Sequence, residues 1–344
     1  MTDSNPSDKN SDEPPSTSFA SLNGKISLKK PEDQTGPFSV QEPVFLVTEV
    51  VSDIEECHSL FEQFSLKANL FDTWEFRYAF YRAYKFKPYF LLLKNNFGNL
   101  ALLPLWYDED KKRYTWFGSD WQEEISFFAR NLNLVPTLLS AAPSPLFLNA
   151  ISRRPVEPLM ASINFTEDLP KYILNLENFG SHEDFLMTLK KNRRHDLRKD
   201  RRRIERQNPE IVINNFDDID QLVSLSKERF KDKGKKTDWE DPRRIQAFKE
   251  VINLGGRSYE TRMITINIKG VTAGVDLICL YQDTYFAVKC GYNVKNFSGI
   301  GNFMNVIEID DAIKLGMKKI DFLQNNYEWK ERWFEQVPLV QYKK

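Results

Sequence analysis

Cysteine and histidine are scarce here: three of each in 344 residues. Cys57, Cys279 and Cys290 are too few and too scattered for a disulfide framework or a thiolate zinc site. His58, His182 and His195 are not spaced as a metal pair, so the sequence offers no metal site and argues against metal catalysis. No apolar run reaches the roughly 18 residues that span a bilayer. An excess of charge of one sign is missing too: the formal net charge is −1, so bulk charge favours neither nucleic acid nor membrane as a partner. The first residues, "MTDSNPSDKNSDEPPSTS", are acidic and polar, unlike a signal peptide. These absences lead us to expect a soluble protein of a reducing compartment, most simply the cytoplasm.

What is present suits a sizeable core. Hydrophobic residues make up 41% and aromatics 13%, in a chain long enough for two ordinary domains. Residues 1–40 are rich in Ser, Asp, Pro, Lys and Asn and cannot bury enough surface to offset their ordering entropy, so a disordered tail is expected there. A first lobe over 43–165 reads as mixed α+β. It has a strand in "PVFLVTEV", helices at 53–66 and 73–85, a hairpin over 88–108 turning at Asn-Asn-Phe-Gly-Asn, and a strand in "RYTWFGSDW".

A second lobe over 169–344 opens on the extended "LPKYILNLENF". A long helix is expected over 181–206, where Ser181 and Asp184 resemble a capping box and Leu186, Leu189, Leu197 and Ile204 form a narrow apolar seam. Between Lys190 and Arg206 there are ten Lys or Arg against three acids. That helix is either a solvated face or the seat of an anionic partner. Helices at 217–231 and from Asp241-Pro242 to Gly255 come next, then three successive strands over 259–293, a helix at 301–316 and the strand "KKIDFL".

"NFSGIG", 296–301, lies between the third of those strands and the helix. Gly299 and Gly301 let the backbone turn tightly and present amide N–H groups at the positive end of a helix, which makes an anion site or simply a cap. Asp276, inside the apolar "VTAGVDLICL", is either a candidate base or an outward residue of a half-exposed strand; if buried, it must be paired, protonated or open to a cleft. Cys290 has no sequence-near histidine and reads as packing.

The order of three antiparallel strands, glycine turn, helix and strand resembles the GNAT acyltransferase fold. Asn296-x-x-Gly299-x-Gly301 matches that family's pyrophosphate turn except at its first residue, where Asn replaces Gln or Arg and removes a cation. Across about 45–335, "FLMTLKKNRRHDLRKDRRRIER", "GVTAGVDLI", "YNVKNFSGIGNFM" and "IDFLQNNYEWKERW" together resemble the CelD-type acetyltransferases associated with cellulose biosynthesis. That group in turn resembles the Fem aminoacyltransferases. The resemblance implies an α+β protein of two tandem GNAT-like lobes, with mostly antiparallel sheets flanked by helices and the first lobe degenerate. It implies a bacterial-type acyltransferase with no tightly bound cofactor and with acyl-CoA as co-substrate. The donor would be held by Asn296, Ser298, Gly299, Ile300, Gly301 and Asn302, between "TYFAVKCGYN" and "KKIDFL" splayed apart.

By the same resemblance Lys330, with Arg332, stabilises negative charge at the reacting carbonyl; Asp276, or Tyr292 at the end of the strand that lines the donor cleft, would handle the proton, unless Tyr292 simply packs or binds substrate. Gln324, Asn325, Trp329 and Trp333 then bind substrate. Asp321 is expected to orient this segment through a buried ion pair or hydrogen bonds. The acceptor is an amine or hydroxyl on a small molecule, glycan or lipid-linked group, as in envelope polysaccharide or lipid modification. Two other readings stay open: Fem-like aminoacyl transfer from charged tRNA bound at the basic helix, and an inactive GNAT-like binding or scaffold protein.

Overall fold

The computed structural model describes residues 45–119, 121–325 and 329–344; the tail expected over 1–40 lies outside them. The first lobe runs β1 (Val47–Val51), α1 (Ile54–Phe64), α2 (Trp74–Tyr84), β2 (Pro88–Asn95), β3 (Gly98–Asp108), β4 (Arg113–Trp116), β5 (Phe128–Ala129), α3 (Val135–Ala141), β6 (Phe147–Ser152), α4 (Arg153–Val156) and β7 (Thr166–Glu167). The second runs β8 (Lys171–Asn175), α5 (His182–Thr188), α6 (Lys191–Glu205), β9 (Glu210–Ile213), α7 (Ile219–Asp232), α8 (Pro242–Leu254), β10 (Glu260–Ile268), β11 (Val271–Tyr281), β12 (Thr284–Tyr292), α9 (Ile300–Lys314) and β13 (Lys319–Gln324). β14 (Glu335–Val337) and β15 (Leu339–Lys343) end the chain.

Strands β1 to β4 form one antiparallel sheet with β5 against β3, and the expected hairpin closes at Asn95 opposite Gly98. A seven-stranded sheet, ordered β14-β8-β13-β12-β11-β10-β9, is the frame of the second lobe. The last strand leaves it: β15 pairs with β6 and β7 in a third sheet. The largest apolar core is shared by both lobes. Phe71, Phe76 and Phe80 of the first lie with Trp239, Phe248, Leu277 and Phe286 of the second. Phe80 meets Phe248 edge to face at 5.5 Å, an arrangement ring quadrupoles favour.

The helix expected over 181–206 is two helices. Asp184 accepts a hydrogen bond from the Ser181 N–H at 2.9 Å, as a capping box requires, but Leu189 and Lys190 are extended with ψ of 154° and 143°. No glycine or proline forces the break. It lets α6 take its own direction across α9, where Leu197 and Ile204 are buried. Of the apolar face that spacing predicts on α9, Phe303 and Val306 are buried and Ile307 and Ile313 half-buried. Asn305, Glu308 and Ile309 are buried as well, because α9 is covered by the sheet on one side and by α5 and α6 on another.

Candidate active site

β12 and β13 are parallel neighbours that stay in register for three pairs only, Thr284 with Lys319, Tyr285 with Ile320 and Phe286 with Asp321. Beyond these the strands expected to part do so. β12 bulges against β11 after Leu277, and β13 ends in left-handed backbone at Leu323 (φ 62°) and Asn325 (φ 86°). Bulges and left-handed residues end a ladder by turning its hydrogen-bonding groups aside. The opening between the strands is where this protein gathers buried ionisable side chains.

On the β11–β12 wall Asp276 is 1% exposed, its carboxyl turned toward Tyr292 and Glu308 without a short, well-aligned hydrogen bond to either. Burial pushes its pKa up to about 7; Tyr292, Glu308 and the charge of Arg229 oppose that only in part. Glu308 of α9 is also buried, and its pKa is well above the ordinary range through burial and the adjacent Asp276. Two carboxyls this close do not both ionise, so near neutrality the pair holds a proton. Tyr292 stands beside it, its ring seated between Gly274 and Gly301, where added β-carbons would come within 3.2 and 3.3 Å of the ring. Cys290 is exposed, yet the protein crowded about it raises its thiol to about 11.

The first lobe supplies part of the opposite wall. After β4 the chain turns at Gly118 (φ 91°), which passes so close over buried Arg77 that a β-carbon would lie 2.7 Å from the Arg77 Cβ. Only glycine fits such a crossing. The turn delivers Trp121, Glu123 and Glu124 to the second lobe. Glu123 is buried and accepts the Gln324 N–H at 2.6 Å. Burial lifts its pKa to about 7 against that bond and the charges of Lys330 and Lys289. Lys289 sits 4.9 Å from the ring centroids of Trp121 and Trp239 and 2.7 Å from Asp238; burial lowers its pKa. Glu124 pairs with Lys171, which also meets Asp321 at 2.7 Å. Asp321 thus orients its segment through a buried ion pair, as expected.

Lys330 is buried and faces the same opening. Its Nζ donates to the carbonyls of Phe322 at 2.5 Å and Gln324 at 2.9 Å, and so braces the broken end of β13. Burial lowers its pKa, while Glu123, Cys290, Asp321 and Glu308 act to raise it. Gln324 turns its side chain to the Leu169 carbonyl at 2.6 Å, whereas Asn325 is exposed at the rim. Trp329 and Trp333 pack on each other at 5.2 Å and join the second core with Phe334, itself stacked on Phe322 at 4.1 Å. They act first as anchors for the segment. Arg332 is exposed on the turn that follows Lys330.

The glycine turn forms at the start of α9, with Gly299 in the left-handed region (φ 90°). The basic helix covers it. A β-carbon on Gly299 would lie 2.8 Å from Asp200 of α6, whose carboxylate also accepts the Asn302 amide at 2.7 Å. Arg203 donates to the Ser298 hydroxyl at 2.9 Å. Asn296 is exposed and Ile300 is buried in the core. A carboxylate therefore stands against the turn expected to cradle a pyrophosphate.

Sequence reasoning missed Glu123, Glu124, Lys289 and Glu308. Glu308 carried a readable signal, an acid among Val306, Ile307 and Ile309. The two first-lobe glutamates carried none, since their partners lie far along the chain.

Residues 191–331 match the family model for an acetyltransferase (GNAT) domain. Among solved structures the chain is similar to FemX, at 9% identity over 87% of this chain and 97% of that one, with a TM-score of 0.54. It is similar to L-PGS from Bacillus licheniformis, at 13% identity over 85% and 92%, with a TM-score of 0.54. A conserved protein of unknown function from Bacteroides thetaiotaomicron VPI-5482 matches at 12% identity over 86% and 100%, again with a TM-score of 0.54. No curated protein matches the chain. The architecture is that of a mixed α+β protein of two GNAT-like lobes, and the segment that matches the acetyltransferase domain contains the Asp276–Glu308 pair, Tyr292, Lys330 and the glycine turn.

Proposed function

We propose that this protein is an acyltransferase of CelD type that seats an activated acyl carbonyl in the opening between β12 and β13. The carrying observation is that opening itself, where two strands part beside a buried, proton-sharing carboxyl pair. The acceptor amine or hydroxyl attacks the carbonyl directly. A C–N or C–O bond forms and the thioester C–S bond breaks; the acceptor's proton passes through Tyr292 to Asp276 and from there to the departing thiolate, which leaves as the thiol. Cys290 stays a neutral thiol at pH 7, which fits direct attack rather than an acyl-enzyme. The buried charge of Lys330 supports the developing oxyanion through the field it places on the opening. Acyl-CoA is the donor on this reading, with an amine or hydroxyl of envelope polysaccharide or lipid as acceptor.

Asp200 favours a second reading, Fem-like aminoacyl transfer from charged tRNA. Its carboxylate at the glycine turn, partly offset by Arg203 at 3.4 Å, disfavours a pyrophosphate there. On the same helix Lys191, His195, Lys199, Arg202 and Arg206 recur every three or four residues on one exposed face. Thermal shift and mass spectrometry with acyl-CoA thioesters and with aminoacyl-tRNA decide between them. Binding and turnover of a thioester support the first reading; RNA binding that weakens steeply with salt supports the second. If neither donor binds and Asp276→Asn leaves the cellular role intact, the protein is a scaffold and the proposal fails.

A further inference from the structure

A cleft of about 470 Å³ lies on the far side of α7, lined by Ser224, Lys227, Glu228 and Lys231 of the helix and by Lys235, Lys236 and Glu240 beyond its end. Residues 224, 227 and 231 share one helical face. The opposite face carries buried Leu222 and Ser226 and sets Arg229 over the Tyr292 ring at 5.8 Å. One helix thus separates this cleft from the acyl-transfer site and touches both. A second link is the turn 238–240, where Glu240 lines the cleft and Asp238 holds Lys289.

Among the described residues none of the four lysines has a carboxylate within 4.0 Å, although many other basic residues of this chain do. Four lysines against two glutamates leave the lining with an excess of positive charge, which a ligand bearing two or more negative charges would neutralise. The carboxyl end of a helix attracts cations, and Lys231, Lys235 and Lys236 lie at that end of α7. Lysine binds phosphate as a mobile point charge, and the volume suits a phosphorylated small molecule or a headgroup.

We propose that this cleft is a phosphate-binding site and that it anchors a phosphate-bearing acceptor. The acceptor half rests on the acyl-transfer reading; the binding half does not. Titration calorimetry with inorganic pyrophosphate, and flotation with phosphatidylglycerol against phosphatidylcholine vesicles, test the binding half without turnover. We expect one probe to bind. Pyrophosphate alone identifies a soluble phosphate, and phosphatidylglycerol vesicles identify a headgroup. Lys231→Glu with Lys235→Glu should weaken binding at least tenfold, while Asp276→Asn and Lys199→Glu with Arg202→Glu should not change it. Failure of both probes, or loss confined to the α6 variant, overturns the site. Should the double variant not fold by circular dichroism, Lys227→Gln and Lys236→Gln singly should each cost at least threefold, and unchanged binding in both overturns it equally. For the acceptor half, phosphoethanolamine should show a KM at least tenfold below that of ethanolamine, and Lys231→Glu should abolish the difference. Equal KM values overturn that half; no transfer to either acceptor while pyrophosphate still binds removes the acyl-transfer reading and leaves the cleft.

Discussion

Asp276 holds its proton to about pH 7 because it is buried beside a second carboxyl. Two consequences follow, one for rate and one for stability. As a base it must be ionised, so kcat/KM should rise with pH through about 7, and Asp276→Asn should lose that limb along with about 10²-fold or more of the rate. Folded Asp276 binds its proton more tightly than the unfolded chain does. Its contribution to stability is therefore full below its ordinary value of 3.8 and is lost as pH rises through about 7. The urea midpoint of Asp276→Asn should accordingly fall less than that of the parent protein between about pH 5 and about pH 8. Asp276 was legible in the sequence because an acid interrupts an apolar strand. Its partner Glu308 likewise interrupts an apolar run, but that it meets Asp276 was not legible, because the face of α9 that meets the sheet is set by packing.

At the scale of elements, the docking of α6 on the glycine turn decides donor access. If the Asp200 carboxylate is what repels a pyrophosphate, Asp200→Asn should tighten acyl-CoA binding several-fold in a calorimetric titration. No change would mean the turn is not a donor site. Gly299→Ala meets both a left-handed backbone and the Asp200 side chain at 2.8 Å, and should cost about 1–3 kcal/mol in a denaturation experiment. Lys330→Met leaves the Phe322 and Gln324 carbonyls without their buried donor, a loss of about 1.5–3 kcal/mol per charged hydrogen bond. The glycine turn and the capping box at Ser181 could be read from residue types a few positions apart. The break at Leu189–Lys190 could not, since neither residue is a helix breaker and tertiary packing alone redirects the chain there.

Across the whole molecule, the two lobes are joined by a shared core and by charge. Lys171 lies between Glu124 of the first lobe and Asp321 of the second, with its pKa held up by both against burial. Glu124→Ala removes one of the two partners of a buried cation and leaves it Asp321, and should destabilise the protein by about 1–3 kcal/mol, read from a single unfolding transition. Two separated transitions would show that the lobes fold independently. The return of β15 to β6 and β7 ties the end of the second lobe to the first.

By itself the sequence determined the run of three strands, glycine turn, helix and strand, because periodicity and punctuating glycines act over a few residues. It also marked Asp276 and the aromatic-cationic segment at 329–333 as unusual. Only the tertiary structure decided that β12 and β13 part after three pairs, that Glu123 meets the Gln324 N–H across 201 residues, and that Asp200 reaches Asn302 across 102. Such pairings depend on how lobes and helices dock to bury a common core, and local residue preferences do not carry that far along the chain.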